Sequence, residues 1–141
     1  MACPTAARRT STCGSGADAG SFVEYLPDPP ILMAGSSVRA CVDVVAQPGS
    51  TVALGDAFLM HDPAGRGEAS RSLASETVIR RPDGRPICVE RFVISADEAA
   101  DAWRALSSGA GTLGALWICS PLPSPRLVDA MRAGLACVPS V

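Results

Sequence analysis

The segment VEYLPDPPILMAGS, residues 23–36, is the strongest indication of how this chain folds. It joins a short apolar strand to a turn held by three prolines, and then to a second strand that opens with a glycine. Proline lacks the backbone N–H that a β-ladder requires, so the prolines must end the first strand. No catalytic constellation accompanies this pattern, which therefore indicates a β-rich scaffold that binds other proteins rather than an enzyme.

The composition fits one globular domain or part of one, because the chain has 141 residues of which 48% are apolar. All twelve basic residues are arginine, and the formal net charge is -2. Phosphate binding needs clustered positive charge, so a nucleic-acid partner is not expected. No apolar run approaches the ~20 residues that cross a bilayer, so a membrane partner is not expected either.

Cysteine usage indicates a reducing compartment. Six cysteines stand at positions 3, 13, 41, 88, 119 and 137, and no Cys-x-x-Cys occurs. A structural zinc site is therefore not expected. The N-terminus lacks the apolar core of a secretory signal, so we expect a cytoplasmic protein.

Apolar alternation predicts a β domain after a disordered leader. Residues 1–20 are rich in Ala, Ser, Thr and Gly and predict the leader, and residues 21–141 predict the β domain. Strand 38–46 illustrates the pattern, since Val38, Ala40, Val42 and Val44 share one face. The predicted strands are 21–26, 38–46, 51–60, 73–81, 86–95 and 112–120.

The sequence RPDGR, residues 81–85, predicts a hairpin turn with Pro82, Asp83 and Gly84 at its central positions. Strand 86–95 has apolar residues on both faces, which predicts burial on both sides and therefore layered sheets. Helical spacing follows over 95–107 and again from Ser124. The predicted fold is mainly β: layered antiparallel sheets, of the β-sandwich or β-helix-like type, with two short helices near the C-terminus.

Few residues suggest catalytic chemistry. His61, the only histidine, precedes Asp62, and this pair could act as a general base or a metal contact. A hydrolase would also need a nucleophile on a sharp turn, and no G-x-S-x-G occurs. The G-x-G-x-x-G at 109–114 follows a predicted helix and precedes a strand, the reverse of the order that binds dinucleotides, so no such site is predicted.

Two carboxylates stand in otherwise apolar strands. Glu24 and Asp56 must each be paired or face water, because an unpaired buried charge is costly. Arg39, Arg85 and Arg91 are the candidate partners for such ion pairs.

The ordered set of motifs between residues 21 and 95 resembles the urease accessory protein UreD family, called UreH in some bacteria. The matching elements are EYLP at 24–27, Ile31, Gly35, Asp56, the loop GRGE at 65–68, RPDGRP at 81–86 and ERF at 90–92. By this resemblance the chain is the middle part of a UreD protein. Two departures stand out: His61-Asp62 replaces the family's usual Gly-Arg pair, and the family's threonine-rich first strand is absent and not replaced by residues 1–20.

The resemblance implies a non-enzymatic accessory protein, mainly β with a pair of helices. It implies binding to apo-urease together with UreF-like and UreG-like proteins, and assistance in delivering nickel to the urease active site. No tightly bound cofactor is expected, because nickel is transferred cargo; His61 is a weak candidate for a metal contact. The candidates for partner binding or a polar passage are Glu24, Tyr25, Asp56, His61, Asp62, Arg66, Glu68 and Arg85.

Two alternatives stay open at this point. One is a small hydrolase or transferase that uses His61, Asp62 and Asp56. The other is a generic β-sandwich protein-binding module with no role for a metal.

Overall fold

The computed structural model describes residues 8–61, 70–95, 112–122 and 124–137, and gives only the backbone of residues 8–15 and Leu135. Within these residues the chain forms eight strands and one helix. In chain order they are β1 Arg8–Ala17, β2 Phe22–Tyr25, β3 Ile31–Met33, β4 Ser37–Ala46, β5 Thr51–His61, β6 Ser72–Arg80, β7 Pro86–Ser95, β8 Thr112–Cys119 and α1 Ser124–Ala136.

The strands form two sheets, here named sheet A and sheet B. Sheet A has the order β1-β4-β6-β7. In sheet B, β2 and β3 pair with successive parts of one edge of β5, and β8 pairs with the other edge. Side chains of both sheets share the same buried clusters, so the sheets pack face to face. The prediction of a mainly β, layered fold is therefore confirmed.

The chain winds back and forth between the two sheets. β1 lies in sheet A, β2 and β3 in sheet B, β4 in sheet A, β5 in sheet B and β6 in sheet A. Arg8 pairs with Ser37 and Phe22 pairs with Thr51, so one turn takes 29 residues in each sheet (37 − 8 and 51 − 22). Each turn brings the chain back to the same sheet in the same direction.

The predicted antiparallel arrangement is therefore wrong for most strand pairs. β1–β4, β4–β6, β2–β5 and β3–β5 are parallel. Within the described part of the chain, only β6–β7 and β5–β8 are antiparallel. Period-two patterning identifies the side chains that share a face, but it carries no information about strand direction.

The predicted hairpin turn between β6 and β7 is confirmed. Gly84 has φ +84°, a conformation that L side chains rarely adopt. Its N–H donates to the Arg81 carbonyl at 2.9 Å, and the Arg81 N–H donates to the Arg85 carbonyl at 2.8 Å. The Asp83 carboxylate accepts the Arg85 N–H at 3.0 Å, which is the side-chain contact that favours aspartate in turns.

Two apolar clusters fill the space between the sheets. Val44 of β4 is 1% exposed, and Val38, Ala40 and Val42 pack against these clusters, which confirms that the four residues share the inner face. The buried residues of the first core cluster are Ala17, Val44, Ala46, Val52, Leu54 and Ile79. Those of the second core cluster are Leu32, Phe58, Leu73 and Ile94.

Strand β1 stands in place of part of the predicted disordered leader. Arg8–Ala17 pairs with Ser37–Ala46 over the whole length of both strands, and Ala17 is buried. The expectation of disorder over residues 1–20 is thus wrong for this segment, and so is the expectation that no strand replaces the family's first one. The sequence did not predict this strand, because the strand is polar and lacks apolar alternation. It is held instead by its backbone pairing with the apolar strand β4. Residues 1–7 lie outside the described part.

Strand β7 is apolar on both faces but buried on only one, contrary to the prediction. Cys88, Phe92 and Ile94 pack into the two clusters. The outward residues Ile87, Val89 and Val93 are 43%, 43% and 69% exposed, because no described element covers this face of sheet A.

One of the two predicted helices is observed. α1 begins at Ser124 as predicted. The other predicted helix, over 95–107, lies outside the described residues beyond Ser95, which is the last residue of β7.

Candidate functional site

A layer of polar side chains lies between the two apolar clusters. On β6, Ser75 and Thr77 occupy inward positions and are 6% and 2% exposed. On β5, Asp56 occupies the inward position between buried Leu54 and Phe58. Glu90 of β7 is opposite Thr77 in the register. We call Asp56, Ser75, Thr77 and Glu90 the polar layer.

Asp56 is the chemically distinctive member of this layer. The Ser75 hydroxyl donates to Oδ2 of Asp56 at 3.1 Å. Burial raises the pKa of Asp56, the Ser75 hydrogen bond opposes that rise, and the negative charge of Glu90 adds to it. The carboxyl group therefore favours its neutral form more than an exposed aspartate does.

The arginines predicted to pair with Glu24 or Asp56 have other contacts. Arg91 pairs with Glu76 across the β6–β7 ladder at 2.7 Å, and Arg85 lies 3.7 Å from Asp83 in the exposed turn. Arg39 forms no ion pair within the described residues. That prediction is wrong because the two acids and the three arginines lie on different faces of the sheets.

A cleft of 640 Å³ reaches Asp56 from the side of the sandwich. It opens where residues 27–30 leave the edge of β5 between β2 and β3. Three prolines, Tyr25 and Phe58 give it mainly apolar walls, and Asp56 supplies a carboxylate. Its lining residues from the facing sheet belong to β4, from Val38 to Val42.

The structure brings together only two of the sequence-predicted candidates, Tyr25 and Asp56, which line the same cleft. Glu24 is exposed on the outer face of sheet B, and Arg85 is exposed in the hairpin turn. His61 is exposed at the end of β5. Asp62, Arg66 and Glu68 lie outside the described residues.

Sequence reasoning missed Ser75, Thr77 and Glu90. The signal was present in β6, where Ser75 and Thr77 fall at period two between Leu73 and Ile79, both of which are core residues. A polar residue at an inward position of a strand must find a polar partner in the facing layer. The partner, Asp56, is 19 residues away along the chain.

The raised pKa of Asp56 means that this arrangement can hold a proton. Within the described ranges, no three His, Cys, Asp or Glu side chains are grouped so as to hold a metal ion. His61 and Asp56 cannot cooperate, because they point to opposite faces of β5. No helix of the described residues is long and apolar enough to span a membrane.

The described residues thus form a layered β scaffold with an interior carboxylate. The family model of the UreD urease accessory protein matches residues 5–140, and the chain belongs to this family. This confirms the resemblance, and the family is one of accessory proteins rather than enzymes.

Curated relatives agree with this assignment. The chain is 35% identical over 125 residues to urease accessory protein UreD 2 of Streptomyces griseus, covering 85% of this chain and 42% of the relative. It is 29% identical over 114 residues to UreD 2 of Bradyrhizobium sp. BTAi1, covering 81% and 38%. It is 31% identical over 127 residues to UreD 1 of Pseudomonas syringae pv. tomato, covering 87% and 44%. The chain thus spans about two fifths of the length of these relatives.

Proposed function

We propose that this chain acts in the cytoplasm in urease maturation, as a scaffold that binds apo-urease together with UreF-like and UreG-like accessory proteins. The observation that carries the proposal is membership of the UreD family over nearly the whole chain. The layered sheets agree with it, since sheet A presents the exposed apolar residues Ile87, Val89 and Val93 on its outer face, as protein-binding surfaces do. Exposed His61 and Arg85 are the proposed polar contacts to these partners, and Asp62, Arg66 and Glu68 stay predicted ones.

We further propose that the polar layer guides nickel as transferred cargo. Asp56 has no cationic partner among the described side chains and lines a cleft that is open to solvent. Two carboxylates and two hydroxyl groups are hard ligands, which bind a divalent transition metal more weakly than imidazole or thiolate does. Weak oxygen ligands suit an ion that must be released again. GTP hydrolysis would belong to the UreG-like partner.

Co-purification tests the scaffold function. A tagged chain is expected to retain apo-urease and a UreF-like protein, and the same experiment is run with an intact-length relative because this chain spans only part of that length. Absence of association with the intact-length protein would count against the scaffold function.

Nickel transfer is tested separately with Asp56→Asn and Ser75→Ala. Both variants are expected to keep the accessory complex but lower the nickel content of the matured urease. Asp83→Asn, which changes an exposed carboxylate in the hairpin turn, is the matched control. Unchanged nickel content in an intact complex would remove the nickel role and leave the generic binding module.

A further inference from the structure

The outer face of sheet B is apolar, and no described element packs extensively on it. Five large side chains, here named the apolar platform, are about half exposed on it: Phe22 64%, Leu26 55%, Ile31 56%, Met33 48% and Leu116 48%. They are half of the ten large apolar residues found exposed in the described part of the chain. Between them, β5 presents the small residues Ala53, Gly55 and Ala57, and the ends of Leu26 and Leu116 meet over Gly55.

Strand β5 has the apolar character of a strand that is covered on both faces. It is the central strand of a mixed sheet, parallel to β2 and β3 and antiparallel to β8. β5 is also apolar on its outward positions, from Ala53 to Leu59. One face packs on sheet A, so the platform is the face that no described element covers.

The dimensions of the platform fit one helix. Neighbouring strands are about 4.8 Å apart, so the strands on either side of β5 are about 10 Å apart, which is the width of a helix. The stretch of β5 from Ala53 to Leu59 is about 20 Å long at the usual rise per strand residue. A helix of 13 residues, the length of α1, is also about 20 Å long.

Helix α1 has a matching apolar side, on which Leu127 and Met131 are half-buried, and it does not pack extensively on a described sheet. Leu127, Val128 and Met131 share one side of the helix, and Val128 is 39% exposed. Most of the other side chains of α1 that are described are exposed, and α1 makes no extensive contact with any described strand. An amphipathic helix without a packing partner is marginal in water.

The charges at the two surfaces are complementary. Glu24 points outward between Phe22 and Leu26 on the platform, and it has no ion-pair partner within the described ranges. On α1, Arg132 flanks the apolar side, and its contact with Asp129 is 4.0 Å long between two side chains that are 77% exposed. Such an exposed pair contributes little and leaves the arginine available.

We propose that two copies of this chain associate by exchanging their α1 helices, each helix packing on the apolar platform of the other copy. The exchange is two-fold symmetric, so both platforms and both helices are covered at once. Arg132 of each helix then lies beside Glu24 of the other copy. This pairing goes beyond the proposed function and does not depend on it.

Sedimentation equilibrium of the whole 141-residue chain tests the pairing. Reducing conditions are required because Cys137 is exposed and could form a disulfide between copies. The expected mass is twice 14.4 kDa, falling toward the single mass on dilution. Met131→Glu on the helix and Phe22→Ser on the platform are each expected to weaken the dimer at least about tenfold, which corresponds to about 1.4 kcal/mol.

Val93→Ser is the matched control, since Val93 is 69% exposed on the outer face of the other sheet. Its dimer is expected to be unchanged, and far-UV circular dichroism checks that each variant is folded. Glu24→Arg and Arg132→Glu should each weaken the dimer, and the two together should restore it. A synthetic peptide of residues 120–137 carrying Cys137→Ser should compete with the helix and convert dimer to monomer.

Three outcomes would overturn the pairing. The chain could stay monomeric up to its highest soluble concentration. Val93→Ser could weaken the dimer as much as Phe22→Ser does, or the double charge reversal could fail to restore the dimer affinity. A monomeric chain whose binding of a purified UreF-like protein is lost in Phe22→Ser would assign the platform to that partner instead. Failure of the co-purification experiment leaves the pairing untouched.

Discussion

At the scale of single residues, Asp56 shows how a position inside a sandwich changes the acid–base behaviour of a side chain. Burial is the main cause of its raised pKa, and the Ser75 hydrogen bond limits the rise. A raised folded-state pKa means that the folded protein holds this proton more tightly than the unfolded chain does. The resulting stabilisation is full below the unfolded value, near 3.8, and is lost as the pH rises through the folded value.

Asp56→Asn is therefore expected to be more stable than the original chain at pH 7, with the difference narrowing as the pH falls toward 4. Asparagine carries no charge to desolvate, and its carbonyl oxygen can still accept the Ser75 hydroxyl. Urea unfolding between pH 4 and 7 measures the difference. Asp83→Asn, which makes the same substitution in the exposed turn, is the matched control. An Asp56→Asn variant that is equally destabilised at both pH values would contradict this account.

The described thiols should differ in reactivity, because Cys119 is half-buried and Cys137 is exposed. Burial raises the pKa of Cys119, the nearby Cys88 thiol raises it further, and Arg81 partly opposes the rise. Cys137 is exposed. Because the thiolate is the reactive form, Cys119 should react on the order of tenfold more slowly than Cys137 with a soluble disulfide reagent. Peptide mapping of the labelled sites over time, from pH 7 to 9, would show the order, and equal rates would refute it.

At the scale of elements, the turn at Gly84 and the helix α1 contain glycines whose replacement should have opposite effects. A Cβ at either Gly84 or Gly134 would meet no atom within 4 Å, so space does not distinguish them. The backbone conformation distinguishes the two glycines, because Gly84 has φ +84° and Gly134 lies inside a helix.

Gly84→Ala is expected to lower the free energy of unfolding by about 1 kcal/mol, the cost of a left-handed alanine. Gly134→Ala is expected to leave it unchanged or raise it by up to about 1 kcal/mol, since alanine is the better helix former. Guanidinium unfolding of both variants gives the comparison. If both variants changed the free energy of unfolding in the same direction, the turn would tolerate a side chain, and backbone conformation would not explain the effect.

Element-scale features were predictable from sequence wherever the information is local. The hairpin is encoded by Pro82, Asp83 and Gly84 within a few positions, and both the turn and the pairing of its strands were predicted. The parallel pairing of β1 with β4 joins residues 29 positions apart, and no local pattern encodes it. The polar layer was missed for a related reason, since Ser75 and Thr77 look like ordinary strand residues until Asp56 is known to face them.

At the scale of the whole molecule, the most consequential correction is that β1 belongs to sheet A. Its ladder with β4 covers one edge of the sheet, and Ala17 is part of the first core cluster. A strand at that place is structural even though its composition is that of a linker.

Removal of residues 1–20 should therefore destabilise the protein by several kcal/mol, on the order of 1 kcal/mol for each ladder hydrogen bond that is lost. Removal of residues 1–7 alone leaves β1 in place and separates the contribution of this strand from that of the residues before it. Thermal unfolding measures how far each deletion lowers the unfolding temperature. If both shortened chains unfold at the same temperature as the complete one, the first twenty residues are a dispensable leader after all.

The winding of the chain has a consequence for its synthesis. When a polypeptide coils between two sheets, each new strand can pair with a strand that has already left the ribosome, as in a growing solenoid. Here β4 meets β1, β5 meets β2 and β3, and β6 meets β4, always in the order of translation. The reversal at Gly84 then sends β7 back along β6, which ends the parallel run and closes that side of the coil to further growth in the same direction.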